Sequence, residues 1–298
     1  MKLIKPSFSI IEQQAGLEGV YKQIEKVGRV CYKSEDKITE DSAKPFVDRM
    51  IKSGHGAMLE HGTVYLKITY KDTNFTTLCM FYGKNKYSVL NHSEDNKIYY
   101  ITTNYRVLVE NNHLSDLKYL CEPSEFHEKR ITVHFVCDRG VSHEFVRHRV
   151  MSFAQESTRY CNYSKDKFGN ELTFIKPCWL DIPTGQYVYW DGDWCDIDKI
   201  KIQLPEGEHK DIDAFLWTLN TAETHYTLLI NSGWKPQEAR AVLPNALKTE
   251  LVITGFTSDW NHFFDLRARG TTGAPHPQAK ELAEPLMKEF IARKYINN

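Results

Sequence analysis

Residues 147–160 read Arg-His-Arg-Val-Met-Ser-Phe-Ala-Gln-Glu-Ser-Thr-Arg-Tyr, so three guanidiniums, an imidazole and several hydroxyl and amide donors fall within fourteen residues. A guanidinium is planar and permanently charged, and its fork matches phosphate or carboxylate oxygens two at a time; hydroxyls add neutral donors around it. On a helix, Arg147 and Arg149 lie about 200° apart, so one helix end can serve two anions. An isolated Arg-His-Arg is more often a solvated basic turn paired with nearby acids. Here the donors continue through Ser157 and Arg159, which favours an anion site. Ser157 reads as a hydrogen-bonding ligand and not a nucleophile, because its neighbours supply no Ser-His-acid arrangement.

The elements that must position this stretch are set by hydrophobic spacing. Leu17, Val20, Tyr21, Ile24, Val27 and Cys31 recur at three and four residues, the mark of a helix with one buried face. Phe46, Val47, Met50 and Ile51 predict a second helix that stops at Gly54. At Val64, Leu66 and Ile68 the period drops to two, which predicts a strand, and Thr76–Met80, Tyr99–Thr102, Arg106–Glu110 and Ile131–Val136 are further strand candidates. Polar residues Asn91–Lys97 separate some of these. A short helix is expected over Gly140–Arg149. From about Asn162 to Glu208 the chain is rich in Gly, Pro, Asp and Trp, with no sustained period, and reads as an irregular insertion. Ile212, Phe215, Leu216, Leu219, Tyr226 and Leu229 then form the clearest helical stripe; Pro236 and Pro277 can each open a helix, and Asp259 can cap the one carrying Trp260, Phe263 and Phe264. The pattern predicts an α+β fold, a mixed, mainly antiparallel central sheet flanked by helices, in one domain over residues 1–298.

Composition narrows the function. The 298 residues carry 38 basic and 39 acidic side chains, so any anion site is a local cluster and no global basic field gathers nucleic acid or membrane. There is no long uncharged apolar run to span a bilayer, and the N-terminus lacks the apolar region of a secretory signal. Seven scattered cysteines without a CxxC pair argue against a zinc knuckle and fit a reduced, cytoplasmic setting.

The spacing Arg147-His148-Arg149, seven residues, then Ser157 resembles the hallmark of the flavin-dependent thymidylate synthases. Other segments agree in order: Arg29-Val-Cys-Tyr-Lys-Ser-Glu, Gly54-His55-Gly-Ala-Met-Leu-Glu60-His61, Ser142-His143-Glu144-Phe-Val, Arg240-Ala-Val-Leu-Pro244 and Trp260-Asn-His262-Phe-Phe-Asp-Leu-Arg267. The resemblance implies a mixed α/β fold, a homotetramer with shared sites, bound FAD, and reductive methylation of dUMP with methylenetetrahydrofolate and NADPH as co-substrates. It implies dUMP contacts from Glu144, Phe145, Val146, Arg147, Gln155, Glu156, Ser157, Thr158, Arg159, Arg240 and Arg267, with Arg159 on the phosphate. Arg267 would be the catalytic residue, set against the uracil ring to favour its ionised N3 form. FAD contacts would come from His55, Ala57, Arg147, His148, Arg149, Gln155, Phe256 and His262. Two departures stand out. Phe256 occupies a position where the family often has asparagine, and Ala-Arg-Gly-Thr-Thr-Gly-Ala-Pro-His-Pro-Gln after Arg267 replaces a commoner acidic version.

Three other readings fit less well. A cysteine-dependent thymidylate synthase needs a Pro-Cys-His segment, whereas Pro177-Cys178 is followed by Trp179 and reads as a partly buried thiol. A metal hydrolase built on His55, His61, His143 and His148 lacks acidic ligands at a known spacing, Glu60 and Glu144 apart, so no metal is expected. A nucleic-acid module stacking bases on Tyr160 and Tyr163 conflicts with the balanced charge. Asp191–Asp198 is faintly like a calcium loop but has Ile202 at the twelfth position, and reads as an acidic loop.

Overall fold

The computed structural model describes residues 1–165, 168–205 and 210–297. Its centre is a four-stranded antiparallel sheet in the order β2 (Ser7–Ile11), β6 (Arg130–Asp138), β12 (Lys248–Phe256), β7 (Ser152–Gln155). The long β6–β12 ladder pairs Phe135 with Leu251 and Val133 with Ile253, apolar residues of full-length partners that need no turn to set their register. A second antiparallel sheet has the order β3 (Thr63–Thr69), β5 (Ile98–Asn104), β4 (Val89–Ser93). Around β1 (Lys2–Ile4) lie β8 (Thr173–Ile175), in parallel, and β9 (Gly185–Gln186), antiparallel. A hairpin of β10 (Val188–Trp190) and β11 (Asp193–Cys195) completes the strands. The fold is mixed α/β with a mainly antiparallel central sheet flanked by helices, as expected, and among the described residues the strands fall into four sheets.

The helices run α1 (Gly16–Tyr32), α2 (Ala43–Lys52), α3 (Gly56–Leu59), α4 (Phe75–Leu78), α5 (Tyr105–Glu110), α6 (Arg139–Phe145), α7 (Lys210–Asn231), α8 (Pro236–Ala239), α9 (Thr257–Phe264) and α10 (Pro277–Ala292). α1, α2 and α7 match their periodic stripes, α10 opens at Pro277 as expected, and Gly54 ends the α2 turn at φ 71°, a conformation that suits glycine. Two expected strands are helical. Asn74 Oδ1 accepts from the Thr77 amide at 2.8 Å and starts α4, and Asn104 Oδ1 accepts from the Val107 amide at 3.1 Å and starts α5. Each cap satisfies an amide that the first turn would leave unpaired, and this outweighs the β-propensity of the residues beyond it. The helix expected over Gly140–Arg149 is shorter, since α6 ends at Phe145. Within the expected insertion, residues 166–167 and 206–208 lie outside the described ones. The rest is more ordered than its composition suggests: Tyr163, Leu172, Phe174, Ile182, Tyr187 and Trp194 are buried in one core with α7.

The largest core packs α6, α9 and α10 on the central sheet through Phe135, Phe145, Trp260, Phe263, Phe264 and Phe290. Each such ring contributes about 1.5–3 kcal/mol by leaving water. These aromatics are the reason two short segments, the end of α6 and the end of α9, are held firmly side by side.

Candidate active site

Asp138 Oδ1 accepts from the Val141 amide at 2.7 Å and starts α6, and Phe145 anchors its far end in the core. Glu144, one residue earlier, is thereby turned to a half-buried edge. α9 passes without a break into a π-helical turn over Asp265–Arg269, in which Ala268 stays buried and Arg267 faces α6. Arg267 donates through Nη1 to Glu144 Oε2 at 2.6 Å, through Nη2 to the Glu144 carbonyl at 2.8 Å, and through Nε to His148 Nε2 at 3.3 Å. His148 can accept that last bond only while neutral. Burial, then the Arg267 and His262 charges, hold its pKa down at about 4. Its ring also touches His262 and Phe263, with centroids 5.8 and 5.0 Å away. Burial pulls the Arg267 pKa down as well, against the pull of Glu144, yet a guanidinium stays charged at any working pH. Four of the sequence-derived residues, Glu144, His148, His262 and Arg267, are thus brought into one cluster. Val146 is half-buried beside it. Arg147 and Arg149 are exposed at its rim, and neither guanidinium has a hydrogen-bond or ion-pair partner among the described residues.

A second group forms where β7 leaves the sheet. Gln155 Nε2 donates to Ser142 Oγ at 2.9 Å and to Thr249 Oγ1 at 3.2 Å, which ties the strand end to α6. Beyond it, the Ser157 amide donates to the Cys31 carbonyl at 3.0 Å, and Arg240 Nη1 donates to Thr158 Oγ1 at 3.1 Å. Arg159 is exposed, donates to Gln237 Oε1 at 3.2 Å, and lies over the Tyr160 ring at 5.3 Å. Arg159 and Arg240 therefore flank Thr158 with their guanidiniums toward solvent. Glu156 is different: its side chain is fully buried and faces the interior.

His55 and Ala57 sit apart, on α3 and its N-terminal flank. With Cys31, Tyr32, Met58 and Arg106 they line a cavity of about 430 Å³. No side-chain hydrogen bond, ion pair or ring contact joins His55 to the Arg267 cluster among the described residues. The loop is pinned from below, where Arg106 Nη1 meets Glu60 Oε1 at 2.6 Å and Arg130 Nη1 donates to the Glu60 carbonyl at 2.9 Å. His61 is fully buried on Thr254 Oγ1 at 2.8 Å, its pKa pushed down to about 3 by burial and the nearby Arg130 charge. Phe256 is buried at the end of β12, under the Arg130 guanidinium at 5.5 Å.

Several of these posts were missed by sequence reasoning. Lys248, which holds the Glu156 carboxylate at 2.7 Å, and Glu250 beside it stand two apart on β12, a spacing that puts two charges on one side of a sheet and could have signalled them. Arg106 and Arg130 gave no such signal. Among the described residues no group of three or more His, Cys, Asp or Glu side chains could hold a metal ion, and no helix is long and apolar enough to cross a membrane. Cys178, read as partly buried, is exposed.

Residues 73–293, well over half of the chain, match the family model described as thymidylate synthase complementing protein. The chain belongs to the flavin-dependent thymidylate synthase family. Relatives include the flavin-dependent thymidylate synthase of Pyrococcus furiosus, 30% identical over 163 residues, which are 54% of this chain and 53% of that one. The enzyme of the same name from Geobacter sulfurreducens is 26% identical over 129 residues, 43% of either chain. This family member thus spans about half the length of the curated relatives it matches. It also aligns, over 98% of its length and 93% of the other's, with the crystal structure of a UMP/dUMP methylase PolB from Streptomyces cacaoi, at 16% identity and a TM-score of 0.44.

Proposed function

We propose that the chain converts dUMP to dTMP, with methylenetetrahydrofolate as carbon donor, FAD as its redox cofactor and NADPH as reductant. Tetrahydrofolate and NADP⁺ would leave with the product. The observation that carries this reading is the Arg267–Glu144–His148 cluster with Arg147 and Arg149 at its rim, in a chain that belongs to a flavin-dependent family. Adding a carbon at C5 of uracil requires electron density there. Arg267, a fixed cation in a half-buried setting, favours negative charge on the ring and cannot itself serve as a base. His148, neutral, takes one of its N–H groups and fixes the direction of its fork.

Arg159 and Arg240, with Thr158 between them, suit the nucleotide phosphate, and Ser157 adds a hydroxyl donor. Arg147 and Arg149 present free forks that suit the diphosphate of FAD, with His55, Ala57 and His262 as further contacts. The bound flavin would supply the carbon and hydride transfer that no side chain performs. A thiol route is less well supported, because burial pushes the Cys31 thiol up to about 11, far from a thiolate at neutral pH. His55, Arg147 and Arg149 all face outward from one chain. This suits a site completed by neighbouring copies in a homotetramer, in a cytoplasmic setting.

The test is the spectrum of the purified chain. A flavin absorbance that bleaches when NADPH and dUMP are supplied, with tetrahydrofolate as the folate product, is the expected result. A chain that retains no flavin, or that releases dihydrofolate, overturns the proposal.

A further inference from the structure

Glu156 lies between Gln155 and Ser157, inside the segment assigned to the nucleotide, and both its carboxylate oxygens are held by protein groups. Its Oε1 accepts from the Tyr163 hydroxyl at 2.9 Å and its Oε2 from Lys248 Nζ at 2.7 Å. Lys248 Nζ also reaches Glu250 Oε1 at 2.5 Å. Glu250 in turn meets Lys33, at the C-terminal end of α1, and His134 Nε2 at 2.9 Å. Burial works against the charges of Lys248 and Glu250, but their neighbours prevail: the Lys248 ammonium is held above its ordinary range, and the Glu250 carboxyl well below its own.

The position of this network matters. Ladder pairing between β7 and β12 ends at Gln155 opposite Leu251. Beyond that point the path of the chain is set by the Glu156 amide on the Glu250 carbonyl at 2.8 Å, by the Ser157 amide on the Cys31 carbonyl, and by the Glu156 side chain. We infer that Lys248, through Glu156, is a positioning residue that fixes Ser157, Thr158 and Arg159 for nucleotide binding. Removing the ammonium takes from the buried Glu156 the cation it shares with Glu250, while Glu250 keeps Lys33 and His134, so the cheapest relief is for Glu156 to swing outward and take Ser157 with it.

The inference rests on the proposed function, and its test separates the two. The Lys248→Met variant is expected to raise the KM for dUMP by roughly tenfold, with kcat within about threefold, since a tenfold change is only about 1.4 kcal/mol of misplacement. Lys248→Arg, which keeps the charge, should restore most of the loss. Amide hydrogen exchange across 155–159 should quicken in Lys248→Met and not in Lys248→Arg, a readout that needs no turnover. An unchanged KM for dUMP, or equal rises for dUMP and NADPH, overturns the inference. If Lys248→Met does not fold, Tyr163→Phe decides: it removes one donor to Glu156, and a dUMP KM that stays at the wild-type value overturns the inference equally. A wild-type chain without dUMP turnover sinks the functional reading alone, and the exchange experiment still tests the anchor.

Discussion

Replacing Arg267 by alanine separates a structural cost from a catalytic one. The guanidinium makes three contacts, two to Glu144 and one to His148. The Glu144 side chain is 30% exposed, so water can take over most of what the arginine gave it. The stability cost is therefore about 1–2 kcal/mol, well below the penalty for stranding a fully buried charge. For a chain of this size that lowers the melting temperature by roughly 2–6 °C. Turnover should respond much more strongly. A fixed cation beside developing charge is worth about 3–4 kcal/mol, or 10²–10³ in rate. Melting by circular dichroism, flavin absorbance, and dTMP formation at saturating dUMP read the three quantities in one preparation. The expected variant is folded, yellow and at least a hundredfold slower. A rate within tenfold of wild type would refute the assignment of Arg267 as the charge that activates the ring. Arg267→Lys should recover part of the rate only, since a point charge cannot meet Glu144 and His148 together.

Two further predictions concern stability. His148 and His61 have folded pKa values of about 4 and 3, below the value near 6.5 of an unfolded histidine. Between those limits the unfolded chain binds more protons than the folded one, so stability is full above pH 6.5 and falls as pH drops toward 4. The whole His148 share is about 3 kcal/mol, of which about 2 is lost by pH 5, and urea midpoints at pH 7 and 5 should differ less in His148→Gln than in wild type; an equal difference removes His148 as the cause. Phe256→Asn restores the residue common in the family. Because Phe256 is buried under Arg130, the change should cost about 2–4 kcal/mol without weakening flavin retention. A measurable loss of flavin at an unchanged melting temperature would mean that the ring faces the cofactor.

The long elements and the arginine-rich segment were legible because their signals are local and repeated. α1 and α7 show four or more turns of one apolar stripe, and β3 alternates cleanly. α4 and α5 were lost because one asparagine before each outweighs a short run of β-favouring residues. The cluster around Arg267 was legible as residue types but not as geometry: nothing in the sequence says that Glu144 and Arg267, 123 positions apart, share two hydrogen bonds. The partners of Glu156 were equally out of reach of the sequence. Its neighbours in sequence suit ligand binding, while Tyr163 and Lys248 draw its own side chain inward.

The wide turn that carries Arg267 gives the protein a sensitivity to residue count as well as residue type. A π-turn holds one more residue than an α-turn of the same height. Deleting Leu266 would let the turn close to the ordinary pitch of about 100° per residue and turn Arg267 away from Glu144 and His148, while α9 keeps its place. The arginine would survive such a deletion by name and lose its aim.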